Sequence, residues 1–367
     1  MRVLALASYP VEAAGTRFRL QQFVKPLSER GIEVTVRPFL NSHQFQNLYQ
    51  RKAAARTAAA VIKGASLRLR DVFTGFGSDV VFIQREAMIL GPPLFEWLLS
   101  NVVRRPVVLD LDDATYVSYA SPTYGALSKT LKWFGKTNDL IKWASVVTCG
   151  NKAIAEYVSA QGTRAVVIPT VVDLEMFKPI PRPADRSELV LGWIGTHSTY
   201  PYLESIFPVL TSLAGEFDFR LKIVGAGRDQ ISIPNVRVEN LAWDLAREIS
   251  DFQSIDIGVY PIDTKLYSGW AQGKSGFKAV QYMAVGVPFV ATPVGGSVDI
   301  GEAGVTHLFA STNDEWYRSL QRLMSDVTLR QNMGTAGRAE AIAHYGLAEQ
   351  ADKLAAALRA ASEARGS

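Results

Sequence analysis

The run Gly273-Lys274-Ser275-Gly276-Phe277-Lys278 leads into Ala279-Val280-Gln281-Tyr282-Met283-Ala284, so two amines and several small residues stand at the opening of a short apolar helix. A helix N-terminus carries partial positive charge, and each lysine placed there costs about 0.3–1 kcal/mol unless an anion lies beside it. Lys274 and Lys278, read as first-turn residues, therefore predict a phosphate or diphosphate held by the N–H groups of Ser275, Gly276 and Phe277 with charge added from both side chains. The plain alternative is a solvated lysine pair at a frayed helix end.

Further residues suit the same chemistry. Gly15-Thr16-Arg17-Phe18-Arg19 follows the first apolar run, so Arg17 or Arg19 can meet a donor diphosphate or an acceptor phosphate, the plain alternative being ordinary helix-surface arginines. Gly195-Thr196-His197-Ser198-Thr199 offers N–H and hydroxyl donors, with His197 able to bond a phosphate or a departing oxygen or else to cap and pack. Gly225-Ala226-Gly227 reads as a nucleotide-lining turn, and Tyr267, Trp270 and Trp243 as stacking surfaces, core packing being the better reading for Trp243. Asp110, Asp112 and Asp113 form an Asp-x-Asp-Asp group that could hold a divalent metal against a diphosphate. With lysines already present the metal is redundant, and no metal or separate cofactor is expected. Asp112 or Asp113 then orients or deprotonates an acceptor hydroxyl, unless these carboxylates merely cap the next segment.

Positioning these groups requires strands that end beside them. Apolar runs at 3–8, 33–39, 80–84, 106–111, 146–148 and 165–168 alternate with helical patterns at 16–30, 45–73, 93–101, 127–143 and 153–160. Prolines and polar residues gather at 179–186, and the alternation restarts with strands at 189–194, 220–224, 257–260 and 289–291 and helices at 202–214, 245–251 and 276–285. Three helical stretches, 314–325, 329–344 and 348–361, close the chain. The predicted fold is α/β, two Rossmann-like doubly wound domains at 1–178 and 179–367 facing a cleft, with room for the C-terminal helix to pack back on the first.

A length of 367 residues with 48% hydrophobic and 20% charged residues suits two packed domains. Cys149 is the single cysteine, which excludes an internal disulfide and fits a buried thiol in a reducing cytoplasm. No signal peptide or membrane-spanning run is evident. The net charge of +4 is unevenly spread: residues 17–70 hold eleven Lys and Arg against only Glu29 and Glu33. That asymmetry predicts an anionic partner for the first half, a membrane surface on the cytoplasmic face or a phosphorylated acceptor before nucleic acid, for which no recognition motif is present, the plain alternative being a merely soluble basic face.

The ordered succession of motifs resembles the GT-B glycosyltransferases of the large retaining family four, the glycosyl transferases group 1, in a bacterial subgroup. The matching pieces are Gly15-Thr16-Arg17, the run Asp-Val-Val-Phe-Ile-Gln-Arg-Glu ending at Glu86, Asp110-Leu111-Asp112-Asp113, the run Ile-Pro-Thr-Val-Val-Asp through Phe177, Gly-Trp-Ile-Gly-Thr ending at Thr196, Lys-Ile-Val-Gly-Ala-Gly ending at Gly227, residues 256–261, and the stretch from Gly273. The resemblance spans nearly the whole chain. It implies transfer of a sugar from a UDP- or GDP-linked donor, with retention by front-face attack, to a lipid-linked or saccharide acceptor in envelope or exopolysaccharide synthesis. On that reading Glu86 joins Arg19 and Asp112 on the acceptor side.

Members of the family carry two glutamates seven residues apart at this helix. Here Gln281 takes the second position, where its amide can still bond a ribose hydroxyl, and the first falls at Gly273 or Lys274. Either Lys274 addresses the diphosphate in a variant arrangement or catalysis is weakened. The alternatives are a nucleotide-sugar epimerase of the same fold and a non-catalytic sugar-nucleotide-binding subunit.

Overall fold

The computed structural model describes residues 1–47, 54–118, 131–181, 188–263 and 271–364. Contacts divide it into two compact units: Met1–Thr170 with Gln272–Ser275 and Leu347–Ser367, and Val171–Ala271 with Gly276–Gly346. The division after Thr170 precedes the boundary read from the proline cluster. Residues 171–178 join the second unit, where Arg338 donates to the carbonyls of Leu174 at 3.0 Å and Phe177 at 2.7 Å.

The first unit holds six parallel strands, β1 (Arg2–Ala7), β2 (Glu33–Pro38), β3 (Val80–Gln84), β4 (Val107–Leu111), β5 (Val146–Cys149) and β6 (Ala165–Val167), in the order β2-β1-β3-β4-β5-β6. Every residue of β3, β4 and β5 is buried, as helices on both faces of a parallel sheet require. In register, Ile83 lies beside Leu109 and Leu109 beside Val147, and all three belong to the core. The helix expected over 16–30 is broken into Ala14–Arg19, a single turn Gln21–Phe23, and Val24–Glu29. Pro26, which lacks an N–H, can stand in the first turn of a helix but not in the middle of one, and the break puts it there.

Helices Ser42–Asn47 and Ala54–Gly75 occupy the long stretch expected at 45–73. Leu94–Trp97 continues as a wider i→i+5 turn over Leu98–Val102. The final helix, Leu347–Glu363, packs on the central strands of this same sheet and on the Val24–Glu29 helix, tied by an Arg30–Asp352 ion pair at 2.6 Å.

The second unit holds β7 (Leu189–Ile194), β8 (Phe219–Val224), β9 (Arg237–Leu241), β10 (Ile257–Tyr260), β11 (Phe289–Ala291) and β12 (Leu308–Phe309), parallel in the order β12-β11-β10-β7-β8-β9. Sequence reasoning missed the two edge strands. β9 is only partly buried and carries Arg237 and Glu239, so it lacks an apolar run, and β12 is two residues long. The helix expected over 202–214 is two, Tyr200–Glu204 and Phe207–Leu213, because Pro201 and Pro208 each sit in a first turn. Among the described residues no helix is long and apolar enough to cross a membrane.

Candidate functional site

In the first unit the carboxyl ends of β1, β3, β4 and β5 bring polar residues together, where ligands collect in open α/β sheets. The chain leaves β4 through Asp112 and Asp113. Arg85, one residue past β3, grips Asp112 with two nitrogens, Nη2 to Oδ2 at 2.7 Å, and reaches Asp113 Oδ2 with Nη2 at 3.0 Å. Its backbone is left-handed, with φ of 63°, a conformation that costs a non-glycine residue about 1–3 kcal/mol and is held where surrounding structure over-determines it. Gly15 closes the group from the β1 side: a Cβ there would lie 2.9 Å from Gln84 Nε2 and 3.5 Å from Asp112 Oδ2.

The segment Gln272–Ser275 belongs to this unit and supplies the cation. Lys274 Nζ lies 3.7 Å from Asp113 Oδ1. Asn151, directly after β5, caps the Lys152–Ser159 helix by accepting from the Ile154 N–H at 2.9 Å and donates through Nδ2 to the Lys274 carbonyl at 2.9 Å. Gly273 has no space for a side chain, since a Cβ would fall 2.1 Å from Ala114 Cβ and 2.7 Å from its backbone nitrogen. Of the two positions where the first family glutamate falls, only Lys274 presents a side chain.

The two carboxylates differ. Burial works against a charge on Asp112, but the Arg85 guanidinium, with Arg19 behind it, outweighs burial and holds the carboxyl below the usual carboxylate range. A carboxylate so clamped is a weak base. Asp110 is further inside, 1% exposed, bonded by Arg19 through two nitrogens and by Thr148 Oγ1 at 2.6 Å.

Several expected ligands are already committed elsewhere. Arg19 is 2% exposed, bound to Asp110 and to the Ile168 carbonyl, and has no face for an acceptor. Arg17 turns onto its own loop, donating to the Val11 and Glu12 carbonyls at 3.1 Å each, and Thr16 Oγ1 donates to the Tyr9 carbonyl at 2.8 Å. Glu86 is buried, its carboxylate 2.7 Å from Lys136 Nζ. Spacing along a helix showed none of this.

In the second unit the turn after β7 lies beside the turn after β8. Gly225 has φ of +84° and approaches Gly195 so closely that a Cβ would meet the Gly195 carbonyl oxygen at 2.4 Å. Thr196 donates its N–H to Thr199 Oγ1 at 3.0 Å, so the turn organises its own hydroxyls. His197 packs against Gly227, and burial together with the Arg228 charge lowers its pKa, leaving it neutral near pH 7. Trp243 is only partly buried and lies near Gly225, which corrects the expectation of a core residue. Tyr267 and Trp270 lie outside the described residues.

The short helix after this segment runs Phe277–Ala284, so Lys278 is in its first turn and Lys274 precedes it. Its N-cap Gly276 has φ of +69° and no capping side chain, and a Cβ there would lie 2.4 Å from Ile300 Cδ1. Lys278 Nζ donates to Gln281 Oε1 at 2.8 Å and sits 5.0 Å from the centre of the Phe252 ring. Gln281 is 0% exposed, and its Nε2 has no hydrogen-bond partner among the described residues. A ribose hydroxyl cannot touch it in this arrangement, contrary to the role expected from sequence. Arg85 and Asn151 were the residues missed. Each follows a strand end directly, and Asn151 before a helical pattern is a capping signal.

Two units, each a doubly wound parallel six-stranded sheet, define the GT-B fold of glycosyltransferases. Residues 189–326 match the family described as Glycosyl transferases group 1, and the chain is a glycosyltransferase carrying a domain of that family. HepE (Alr3699) from Anabaena in complex with UDP-glucose is similar in structure at a TM-score of 0.68 and 17% identity, covering 98% of this chain and 99% of that one. Sucrose-phosphate synthase (tll1590) from Thermosynechococcus elongatus is similar at 0.70 and 14% identity, covering 100% and 99%. The lipopolysaccharide outer core galactosyltransferase WaaB is similar at 0.61 and 14% identity, covering 98% and 99%. No curated protein matches the sequence.

Proposed function

We propose that the chain transfers a sugar, with retention, from a nucleoside-diphosphate-sugar to a lipid-linked or saccharide acceptor in the synthesis of envelope or exopolysaccharide glycan. The observation that carries this reading is the Asp113–Lys274 pair at the strand ends, a carboxylate and an amine side by side without a second carboxylate at position 273. Lys274 meets the charge that develops on the diphosphate as the C1–O bond breaks, the role a metal has elsewhere. Asp113 orients the acceptor hydroxyl, which attacks C1 on the same face while its proton passes to the departing phosphate oxygen. In the second unit, the N–H groups around Gly276 and Phe277 and the turns at Gly195 and Gly225 are offered to the nucleotide.

The UDP-glucose bound by HepE makes UDP the first nucleotide to test and leaves GDP as the second. A lipid-linked acceptor brings the enzyme to the cytoplasmic face of a membrane, with the basic region at 17–70 as its contact. A thermal-shift screen over UDP, GDP, CMP and their sugars comes first, followed by mass analysis of products formed with lipid extracts. A ligand at a hundred times its Kd adds about 2.7 kcal/mol to stability, so binding is readily seen. One nucleotide sugar is expected to bind and to yield a glycosylated lipid or saccharide. Sugar interconversion without an acceptor, or binding with no product, defeats the reading.

A further inference from the structure

The Ala54–Gly75 helix of the first unit has an unusual outer side. Its inner side packs on the sheet: Gly64 lies against the Phe39 ring, and Arg68, 1% exposed, is bound to Asp71 and the carbonyls of Ala7 and Ala87. The outer side carries two parallel seams. Ile62, Leu69 and Phe73 form an apolar seam at intervals of seven and four residues, exposed by 72%, 50% and 67%. Arg56, Lys63 and Arg70 recur every seven residues and are all exposed, so they form a basic seam alongside the first.

The apolar seam extends beyond the helix. Phe76 is 53% exposed, and Arg105 holds its carbonyl at 2.7 Å. The segment packed against the helix end, where a Cβ on Gly75 would come 2.8 Å from Leu99, exposes Leu94, Trp97 and Val102. Seven of the eighteen large hydrophobic residues exposed among the described residues thus fall between Ile62 and Val102, a concentration beyond the scattered exposure normal for a soluble surface. The acidic side chains nearby are withdrawn: Asp71 and Glu96 are 2% exposed and Glu86 is 8%.

We propose that this face docks on an anionic lipid bilayer, the apolar seam entering the acyl boundary and Arg56, Lys63 and Arg70 resting among lipid phosphates. Charge complementarity selects this occupant: an apolar seam beside lysine and arginine, with buried carboxylates, fits an interfacial helix on acidic lipid. The proposal specifies the membrane contact of the reading above and rests on it for the lipid partner. Of the eleven basic residues at 17–70, Arg19 and Arg68 are interior and take no part.

The test is co-sedimentation of the full chain with phosphatidylglycerol or phosphatidylcholine vesicles, without donor or acceptor, so that a failed transfer assay leaves it intact. Binding to phosphatidylglycerol is expected to exceed binding to phosphatidylcholine at least about tenfold and to weaken with salt. Lys63→Gln and Arg70→Gln should each lower partition about fivefold, and Phe73→Ser about tenfold or more. All three side chains are exposed, and unchanged melting temperatures confirm intact folding. Equal binding to both vesicles, no binding, or variants that bind like the wild type overturns the proposal. A dimer in solution that Phe73→Ser dissolves overturns it in favour of a second copy of the chain.

Discussion

Asn151 Nδ2 donates to the backbone carbonyl of Lys274 at 2.9 Å, so the residue that caps the helix after β5 also fixes the lysine that faces Asp113. This separates a side-chain role from a backbone one. Lys274→Ala removes a partly exposed amine and should leave stability within about 1 kcal/mol while lowering kcat about 100-fold or more. Asn151→Ala should cost about 1 kcal/mol through the lost cap and lower kcat through a misplaced Lys274. Calorimetry and turnover on both variants check this, and a Lys274→Ala enzyme with wild-type turnover removes the lysine from the mechanism.

Arg85→Gln leaves Asp112 buried without its guanidinium. Loss of one partner of a buried pair costs about 3 kcal/mol or more at pH 7. The Asp112 carboxyl, now below its ordinary pKa, rises in the variant. A depressed carboxyl stabilises the fold above its unfolded pKa and loses that contribution as pH falls through the folded one. The gap between variant and wild type should therefore be widest at neutral pH and narrow below about pH 4. Urea unfolding at pH 7, 5 and 3.5 measures it, and a gap constant with pH contradicts the assignment.

Gly273→Glu places an acidic residue at one of the two positions to which the family resemblance points, Gly273 or Lys274, yet Ala114 leaves no space for it. The expected outcome is a displaced 272–275 segment, a loss of about 1–3 kcal/mol and reduced turnover. Ala114→Gly should not rescue it, because the Ala114 backbone nitrogen, 2.7 Å from the added Cβ, remains. Full activity in the single variant disproves the account.

His307 lies in the second unit, 1% exposed, stacked on Phe289 at 4.9 Å and edge-on to Phe309 at 4.5 Å. Burial pushes its pKa down to about 4 from an ordinary 6.5. The unfolded chain takes up that proton first, so stability is complete above pH 6.5 and is lost as pH falls toward 4. The loss should reach roughly 3 kcal/mol. His307→Leu, which cannot be protonated there, should flatten this part of the pH–stability curve. An unchanged slope assigns the acid sensitivity to other groups.

The elements were largely legible because parallel strands covered on both faces must be apolar along their length. Runs such as Val80-Val81-Phe82-Ile83 and Val107-Val108-Leu109 announce themselves. β9 was hidden because an edge strand tolerates Arg237 and Glu239, and the broken helices because weak propensities hide where a proline takes up a first turn. Gly15 and Asp113 were legible as strand-end positions, whereas Lys274, read as a first-turn helix residue, precedes that helix and lies beside Asp113. Glu86 was singled out although its neighbour Arg85 holds the carboxylates, since adjacent residues leave a strand in different directions.

The sequence by itself determined two doubly wound sheets, the strand ends at which polar residues collect, and the short helix with lysines at its opening, because apolar periodicity and prolines act locally. Only the tertiary structure decided which charges remain for chemistry. Arg19 meets Asp110, Arg85 meets Asp112 and Lys274 meets Asp113 across separations that strand order creates and spacing does not encode. Burial makes an unpaired charge costly, which is why Arg19, Asp110 and Asp112 are held in pairs in the interior, and Gln281 lost its access to solvent.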